Sequence, residues 1–271
     1  MALTELQRLV CGVLAERRIA GGESHVAGGV APNELLGGRR VSADIDLFHS
    51  TEEAVAEASS SDRASLVARG FDVGPVRELR GFVEVVVRDQ THGAVVVQWV
   101  RESAYRFFPL MTHPTLGLTL HPFDLATNEV LALVGRVEVR DWVDILTCHE
   151  RLTPLGCLVW AATGKDAGLG PGFILEQAAR TARYTHDEIT SLSFDGPPPD
   201  AATLAQQWRD ALADARALVD ALPVEQLGCA VLDGDALFRG DIAALRDALD
   251  AGRLRFRTGS IGGALPTVRP L

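Results

Sequence analysis

Apolar and polar residues follow two different periods in the first part of the chain. Helical spacing over residues 3–17 predicts an amphipathic helix, and the short apolar segment 24–28 predicts a strand that runs into a Gly-Gly turn. A proline suited to a first helical turn predicts a short helix up to residue 36, and the alternation over 42–48 predicts a second strand. Residues 51–69 are rich in Ala and Glu and are followed by a glycine, which predicts a longer helix.

The pattern then changes from strands to helices. Three apolar segments at 71–79, 81–89 and 94–100, separated by short glycine-containing turns, predict an antiparallel meander. Beyond them, helical spacing predicts helices at 123–136, 140–152, 154–162, 172–183, 201–221 and 241–250. The predicted fold class is therefore α/β (α+β), with a mixed-sheet domain over residues 1–121 and a helical domain over residues 122–271.

Composition limits the classes of protein to which this sequence can belong. The 271 residues are 47% apolar, which is enough for a sizeable core, and the net charge of −10 argues against non-specific coating of nucleic acid. The first twenty residues lack the pattern of a signal peptide, and no segment reaches the roughly 18 apolar residues of a membrane span. Four scattered cysteines without a CxxC pair indicate reduced thiols. We therefore expect a soluble, cytoplasmic protein without a membrane partner.

Two carboxylates in the segment SADIDLF are the leading candidates for chemistry. Asp44 and Asp46 are two residues apart on a predicted strand, so their side chains leave the same face of the sheet with Cα atoms roughly 7 Å apart. Such a pair repels itself unless a cation neutralises it, and Mg²⁺ prefers oxygen ligands. Because Mg²⁺ also keeps positions for substrate phosphates, the pair is typical of phosphoryl or nucleotidyl transfer.

The residues upstream of this pair suit a phosphate. Gly28 and Gly29 precede a short predicted helix, where backbone N–H groups are free to face an anion, and Arg40 and Ser42 follow it. Taken alone, the two carboxylates also fit a solvated strand end, and the glycines fit an ordinary turn. Together within 21 residues they predict a site for a metal–nucleotide.

Gly-Gly, a short helix and then Arg-x-Ser-x-Asp-Ile-Asp-Leu-Phe form a pattern that resembles a known family. It is similar to the polymerase-β-type nucleotidyltransferase superfamily, specifically to its AbiEii-like branch of abortive-infection and toxin–antitoxin proteins. Two later segments, DLATNEVLALVGRVEVRDWVDI at 124–145 and WAATGKDAGLGPGFILEQAAR at 160–180, are also similar to that branch. The resemblance spans about residues 28–180 and leaves the last ninety residues uncovered.

The resemblance implies roles for individual residues. It places the triphosphate at Gly28 and Gly29 with Arg40 and Ser42 beside it, and it places Mg²⁺ (or Mn²⁺) on Asp44 and Asp46. It also places Asp141 near the nucleotide or its acceptor. It implies an NTP as substrate, and it raises an antitoxin as a candidate partner.

Two positions depart from the family pattern. Glu129 stands where the family has a lysine in a Leu-Ala-x-x-Lys helix, and Gln98 stands where a third metal carboxylate is expected. A third carboxylate helps to bind the metal and can accept a proton from the incoming hydroxyl, and a lysine neutralises phosphate. Glu84 or Glu102 is a candidate replacement for the carboxylate, and Lys165 is a candidate for the phosphate-neutralising cation.

The sequence therefore supports several hypotheses about function. The leading one is transfer of a nucleotidyl group from an NTP to an acceptor hydroxyl on tRNA, on a protein or on a small molecule. An alternative is a catalytically degenerate nucleotide-binding or interaction module, because Gln98 and Glu129 replace groups that catalysis uses. A third is an enzyme that modifies a cationic small molecule in an acidic pocket around Glu129 and Asp141.

Overall fold

The structure is a computed structural model, and it divides into two compact units. It describes residues 3–21, 24–102, 105–136, 138–180 and 184–260. Within these ranges, one unit comprises residues up to 102 together with 108–121, and the other comprises 105–107 together with 122–260.

In the described residues, the first unit contains three helices and eight strands. In chain order they are α1 (Glu5–Gly21), β1 (Ser24–Ala27), α2 (Val30–Leu36), β2 (Arg40–Val41), β3 (Asp44–His49), α3 (Glu52–Ala68), β4 (Asp72–Leu79), β5 (Phe82–Asp89), β6 (Gly93–Arg101), β7 (Met111–His113) and β8 (Gly117–Thr119). The predicted helices and strands of this part of the chain are confirmed to within a few residues at their ends. Strands β7 and β8 were not predicted, because three residues are too few to establish an alternating pattern.

Seven of these strands form one mixed sheet in the order β4-β5-β6-β3-β1-β8-β7. The meander of β4, β5 and β6 is antiparallel, as predicted, whereas β3 runs parallel to β6 and antiparallel to β1. The fold class predicted from the sequence is confirmed. Strand β3, which carries the two candidate carboxylates, lies near the middle of this sheet.

One face of the sheet is buried and the other is only partly covered. On β3, Ile45 and Leu47 are completely buried, and on β6 the same is true of Val97 and Trp99. Helices α1 and α3 pack against this side of the sheet. Since side chains alternate along a strand, the residues between these apolar positions point to the opposite, half-buried face.

The second unit is mainly helical. Its elements are α4 (Pro122–Arg136), α5 (Val139–Arg151), α6 (Leu155–Ala162), α7 (Pro171–Arg180), α8 (His186–Thr190), β9 (Ser193–Phe194), α9 (Ala201–Ala221), a 3₁₀ turn (Val224–Gln226), β10 (Ala230–Asp233), β11 (Ala236–Leu237), α10 (Ile242–Asp250) and β12 (Leu254–Arg257). All six predicted helices are present, although residues 181–183 of one of them lie outside the described ranges.

The second unit also contains a small sheet, which the sequence pattern did not predict. Its three strands are antiparallel, in the order β11-β10-β12, and they pack with α6, α9 and α10 around Trp160 and Leu218. All four cysteines of the chain are buried free thiols, as predicted. No helix in the described ranges is long and apolar enough to cross a membrane.

Candidate functional site

Asp44 and Asp46 lie on the half-buried face of the first unit's sheet. The residue between them, Ile45, is completely buried on the other face, so the strand's alternation fixes the direction of both carboxylates. Asp46 pairs in register with Ala27 of β1 on one side and with Gln98 of β6 on the other. The two carboxylates therefore share one face of a strand that is held from both sides.

The backbone at Gly28 is shaped to accept the carboxylate of Asp46. Gly28 has a φ of +59°, and a Cβ added to it would overlap Oδ2 of Asp46 and lie 2.7 Å from its Cγ. An L-residue would thus be strained by both the left-handed backbone and the lack of space. Glycine lets the turn after β1 contact Asp46 directly.

Gly29 extends this contact to Arg40 and Ser42. A Cβ at Gly29 would overlap the Arg40 guanidinium and would lie 3.0 Å from Oγ of Ser42. The Ser42 hydroxyl in turn donates a hydrogen bond of 3.0 Å to Oδ1 of Asp44. The six residues that the sequence placed at the phosphate and the metal are therefore brought together in the first unit, in one continuous set of contacts.

A buried glutamine holds the backbone of this set. Nε2 of Gln7, which is 1% exposed, donates a 2.7 Å hydrogen bond to the carbonyl of Ser42. Gln7 is fixed by reciprocal bonds with Thr4 that cap the start of α1. Sequence reasoning missed Gln7; the available signal was its place in the apolar stripe of α1, which Val10 and Leu14 continue at helical spacing.

Gln98, which stands where the family has a third metal carboxylate, lies on the strand next to Asp46. Gln98 is the in-register neighbour of Asp46, and Glu84 of β5 is the in-register neighbour of Gln98. Nε2 of Gln98 donates a 2.7 Å hydrogen bond to Oε2 of Glu84. Because neighbouring strands lie about 4.8 Å apart, the backbone of Glu84 is roughly 10 Å from that of Asp46. The nearest replacement carboxylate is thus one strand further away, and the Gln98 amide lies between.

The two carboxylates fit a magnesium ion whose remaining ligands come from substrate phosphates and water. No group of three or more His, Cys, Asp or Glu side chains in the described ranges could hold a metal without further ligands. Mg²⁺ is commonly bound by one or two carboxylates, with substrate phosphates and water completing its octahedral shell. Asp44 and Asp46 supply two such carboxylates.

The other two predicted site residues belong to the second unit. The buried carboxylate of Asp141, which is 1% exposed, accepts two hydrogen bonds of 2.7 and 2.9 Å from the Arg136 guanidinium. This bond to Asp141 is the main reason that the pKa of Arg136 is raised. The charge of Asp141 is therefore largely neutralised within its own unit.

Lys165 is bound to helix α4. Its ammonium lies 3.2 Å from the carboxylate of Asp124, 3.0 Å from the Asp124 carbonyl and 2.6 Å from Oδ1 of Asn128. These contacts bring a positive charge to α4 one residue before the buried Glu129, where the family has its lysine. An ammonium has three N–H donors, so contact with a phosphate would require one of these partners to be exchanged.

Comparisons with known proteins identify the fold. No protein-family model and no curated protein sequence matches the chain. Among solved structures, it is similar to MenT4, a nucleotidyltransferase toxin from Mycobacterium tuberculosis, with a TM-score of 0.55, 19% identity and coverage of 81% of this chain and 85% of that one. It is also similar to a candidate nucleotidyltransferase from H. pylori, with a TM-score of 0.52, 11% identity and coverage of 80% and 96%. The chain therefore has the nucleotidyltransferase fold that the resemblance to the polymerase-β-type superfamily predicted.

Proposed function

We propose that the protein binds an NTP with Mg²⁺ (or Mn²⁺) on Asp44 and Asp46 and transfers its nucleotidyl group to an acceptor hydroxyl. The observation that carries the proposal is the direct packing of the Gly28 turn against the Asp46 carboxylate. The packing places two features side by side. One is a turn whose backbone a phosphate can approach, and the other is a pair of carboxylates that a divalent cation can bind.

Each residue of the set has a separate part in the proposed reaction. The glycines leave room for the Asp46 carboxylate and the Arg40 guanidinium to reach the turn after β1, and the backbone N–H groups of that turn would bind the triphosphate beside Arg40. Ser42 orients the Asp44 carboxylate through its hydrogen bond. When bound, the divalent cation would neutralise charge on the phosphates and on the leaving pyrophosphate.

Glu84 is the proposed acceptor of the proton from the incoming hydroxyl. Gln98 holds its carboxylate on the face of the sheet that also carries Asp46. A general base must reach the proton that it removes, directly or through one water. Because Glu84 lies one strand beyond Gln98, the role of a base on the acceptor side suits it better than the role of a metal ligand.

Two residues of the second unit are also proposed to take part in the reaction. Lys165 would neutralise phosphate charge in place of the family's lysine, by exchanging one partner on α4 for a phosphate oxygen. Asp141 would act near the nucleotide or its acceptor through Arg136, whose guanidinium it holds in a fixed orientation. This pairing also weakens the hypothesis of an acidic pocket for a cationic substrate, because it leaves Asp141 with little free charge.

Label transfer from α-labelled NTPs tests the proposal. The protein is incubated with Mg²⁺ and each NTP in the presence of tRNA, of protein or of small hydroxyl compounds, and pyrophosphate release is measured in parallel. Transfer is expected to at least one acceptor class, and Asp44→Asn and Asp46→Asn should abolish it. Asp72→Asn is the matched control, because it removes an exposed carboxylate from strand β4 of the same sheet. Absence of pyrophosphate release with every acceptor would refute transfer.

A second candidate function is a nucleotide-binding module without turnover. The observation that favours it is the uncharged Gln98 at the level of Asp46, where the family has a carboxylate. This alternative predicts Mg²⁺-dependent NTP binding in the same titrations, with no pyrophosphate released. The two measurements together therefore separate the two functions.

A toxin role with an antitoxin partner extends the first proposal. MenT4, with which the chain shares its fold, is a toxin. If the extension is correct, expression of the chain should slow bacterial growth, and Asp46→Asn should restore growth at equal protein level. Unchanged growth with active enzyme would contradict it.

A further inference from the structure

A cavity lined in part by charged and polar side chains lies on the other side of the sheet from Asp44 and Asp46. It has a volume of about 140 Å³ and lies within the first unit, where α1, α3, β1 and β3 meet. Its lining includes Arg18, Ser24 and His49, and the side chain of His49 leaves β3 on the face opposite to the candidate carboxylates. A water in a cavity needs only about 10–15 Å³ of such space, so the volume also accommodates a larger ligand.

Five polar atoms around this cavity are buried without a hydrogen-bond partner among the residues that the structure describes. They are Nε, Nη1 and Nη2 of Arg18, Oγ of Ser24 and Nε2 of His49. All three residues are more than nine-tenths buried, with Arg18 only 3% exposed. Such a concentration of orphaned polar atoms at one place indicates that something in the cavity pairs with them.

Among these three residues, Arg18 has the largest free-energy cost of burial without a partner. A buried guanidinium without a partner costs several kcal/mol, and burial lowers the pKa of Arg18 despite the favourable influence of Cys11 and Asp62. Asp62, an acid of the lining, makes no ion pair with Arg18 within 4 Å; its carboxylate accepts a 2.9 Å hydrogen bond from the indole of Trp99. The five N–H donors of Arg18 are therefore available to a ligand.

His49 presents an acceptor to the same cavity. Its Nδ1 lies 3.1 Å from the carbonyl of Leu47, which can only accept, so Nδ1 carries the proton. Burial lowers the pKa of His49 to about 4, which keeps the ring neutral and leaves a lone pair on Nε2. A ligand that satisfies the whole lining must therefore accept from Arg18 and donate to His49.

We propose that this cavity binds a phosphate group that retains one proton. Two of its oxygens would accept from the guanidinium of Arg18, a third would contact the hydroxyl of Ser24, and its P–OH would donate to Nε2 of His49. A carboxylate at neutral pH lacks the proton for His49, and water does not neutralise Arg18. Arg17 adds positive charge to the lining, whereas Glu57 and Asp62 add negative charge that favours a protonated phosphate over the fully ionised form.

Titration with inorganic phosphate, followed on the ring ¹⁵N resonances of His49, tests the site locally. The resonances are assigned with His49→Gln, and ionic strength is matched with chloride. The Nε2 resonance is expected to shift and saturate with phosphate in wild-type protein and in Arg40→Gln, which removes the guanidinium proposed to bind the triphosphate and so excludes an effect from the nucleotide site. A parallel titration with a phosphate monoester shows whether free or esterified phosphate is preferred.

A substitution of Arg18 then assigns the binding. Arg18→Met should weaken phosphate binding at least tenfold, whereas Arg69→Met, which removes an exposed arginine, should leave it unchanged. If Arg18→Met does not fold, a wild-type crystal grown with phosphate gives the answer: an anion between Arg18 and His49 supports the site. An unchanged His49 resonance, an equal shift in folded Arg18→Met, or density for water alone would overturn the proposal.

Discussion

Replacing Gly28 by alanine perturbs the central contact of the proposed site. The new Cβ would overlap Oδ2 of Asp46, and the backbone φ of +59° would have to hold an L-residue. The Asp46 carboxylate must then turn away or the turn after β1 must open. Either change moves one of the two proposed metal ligands.

Two terms contribute to the expected loss of stability. A left-handed backbone costs an L-residue roughly 1–2 kcal/mol. Forcing Asp46 away from its preferred side-chain conformation adds about 0.5–1.5 kcal/mol. Gly252→Ala isolates the first term, because Gly252 has a φ of +62° and open space around its Cβ position. Gly28→Ala should therefore destabilise the protein by about 1 kcal/mol more than Gly252→Ala.

Urea unfolding and calorimetric titration with a non-hydrolysable NTP and Mg²⁺ measure the two effects. Gly28→Ala should weaken Mg²⁺-dependent binding by more than about tenfold, or 1.4 kcal/mol, and Gly252→Ala should leave it unchanged. In the double variant Gly28→Ala/Asp46→Ala the side-chain atoms that the new Cβ would overlap are gone, so the extra stability loss should disappear. In Gly28→Ala/Asp46→Asn these atoms remain, so the loss should persist. Equal stability losses for the two glycine variants, with NTP binding intact, would show that the Gly28 turn does not need to approach Asp46.

Three further predictions concern charges in the two units. The pKa of His49 falls from 6.5 to about 4 on folding because the ring is buried and lies near the positive charge of Arg18, so the unfolded chain binds more protons between these values. Stability in chloride buffer should therefore drop by roughly 3 kcal/mol as the pH is lowered from 6.5 to 4, and His49→Gln should flatten that slope; an unchanged slope contradicts the prediction. Lys165→Met leaves the buried Asp124 carboxylate without its ammonium and should cost about 3–5 kcal/mol in urea unfolding, part of which Asp124→Asn should recover; a loss below 1 kcal/mol would show that the pair is not buried as described. Gln98→Asp places a third carboxylate beside Asp46, so it should lower the Tm without Mg²⁺ and increase the Tm rise that Mg²⁺ produces; an identical Mg²⁺ response to wild type would argue against a metal at this face.

The sequence predicted most of the first unit because its strands carry clear alternation. The segment DIDLF specifies both a strand and the common face of Asp44 and Asp46, since Ile45 and Leu47, which alternate with them, must be buried. The position of Gln98 beside Asp46 was expected from the resemblance to the superfamily, and strand pairing in the structure agrees with it. The short strands β10 to β12 escaped prediction because segments of two to four residues carry too little periodicity.

Contacts between distant residues could not be predicted in the same way. The bond from Gln7 to the Ser42 carbonyl and the cavity at Arg18 depend on how α1 packs on the sheet, which no local pattern encodes. Both residues nevertheless fall within the apolar stripe of α1, where a polar side chain must find a buried partner. Polar residues at apolar positions of a predicted helix are therefore the signal that would have drawn attention to them.

Binding of an NTP together with a divalent cation at Asp44 and Asp46 underlies the proposed function. It is measured by calorimetric titration of a non-hydrolysable NTP, with and without Mg²⁺, in wild-type protein, Asp44→Asn, Asp46→Asn and the control Asp72→Asn. Wild type and Asp72→Asn are expected to bind at least about tenfold more tightly with Mg²⁺, and both site variants are expected to lose this gain. Equal affinity in all four proteins, with no dependence on Mg²⁺, would contradict it.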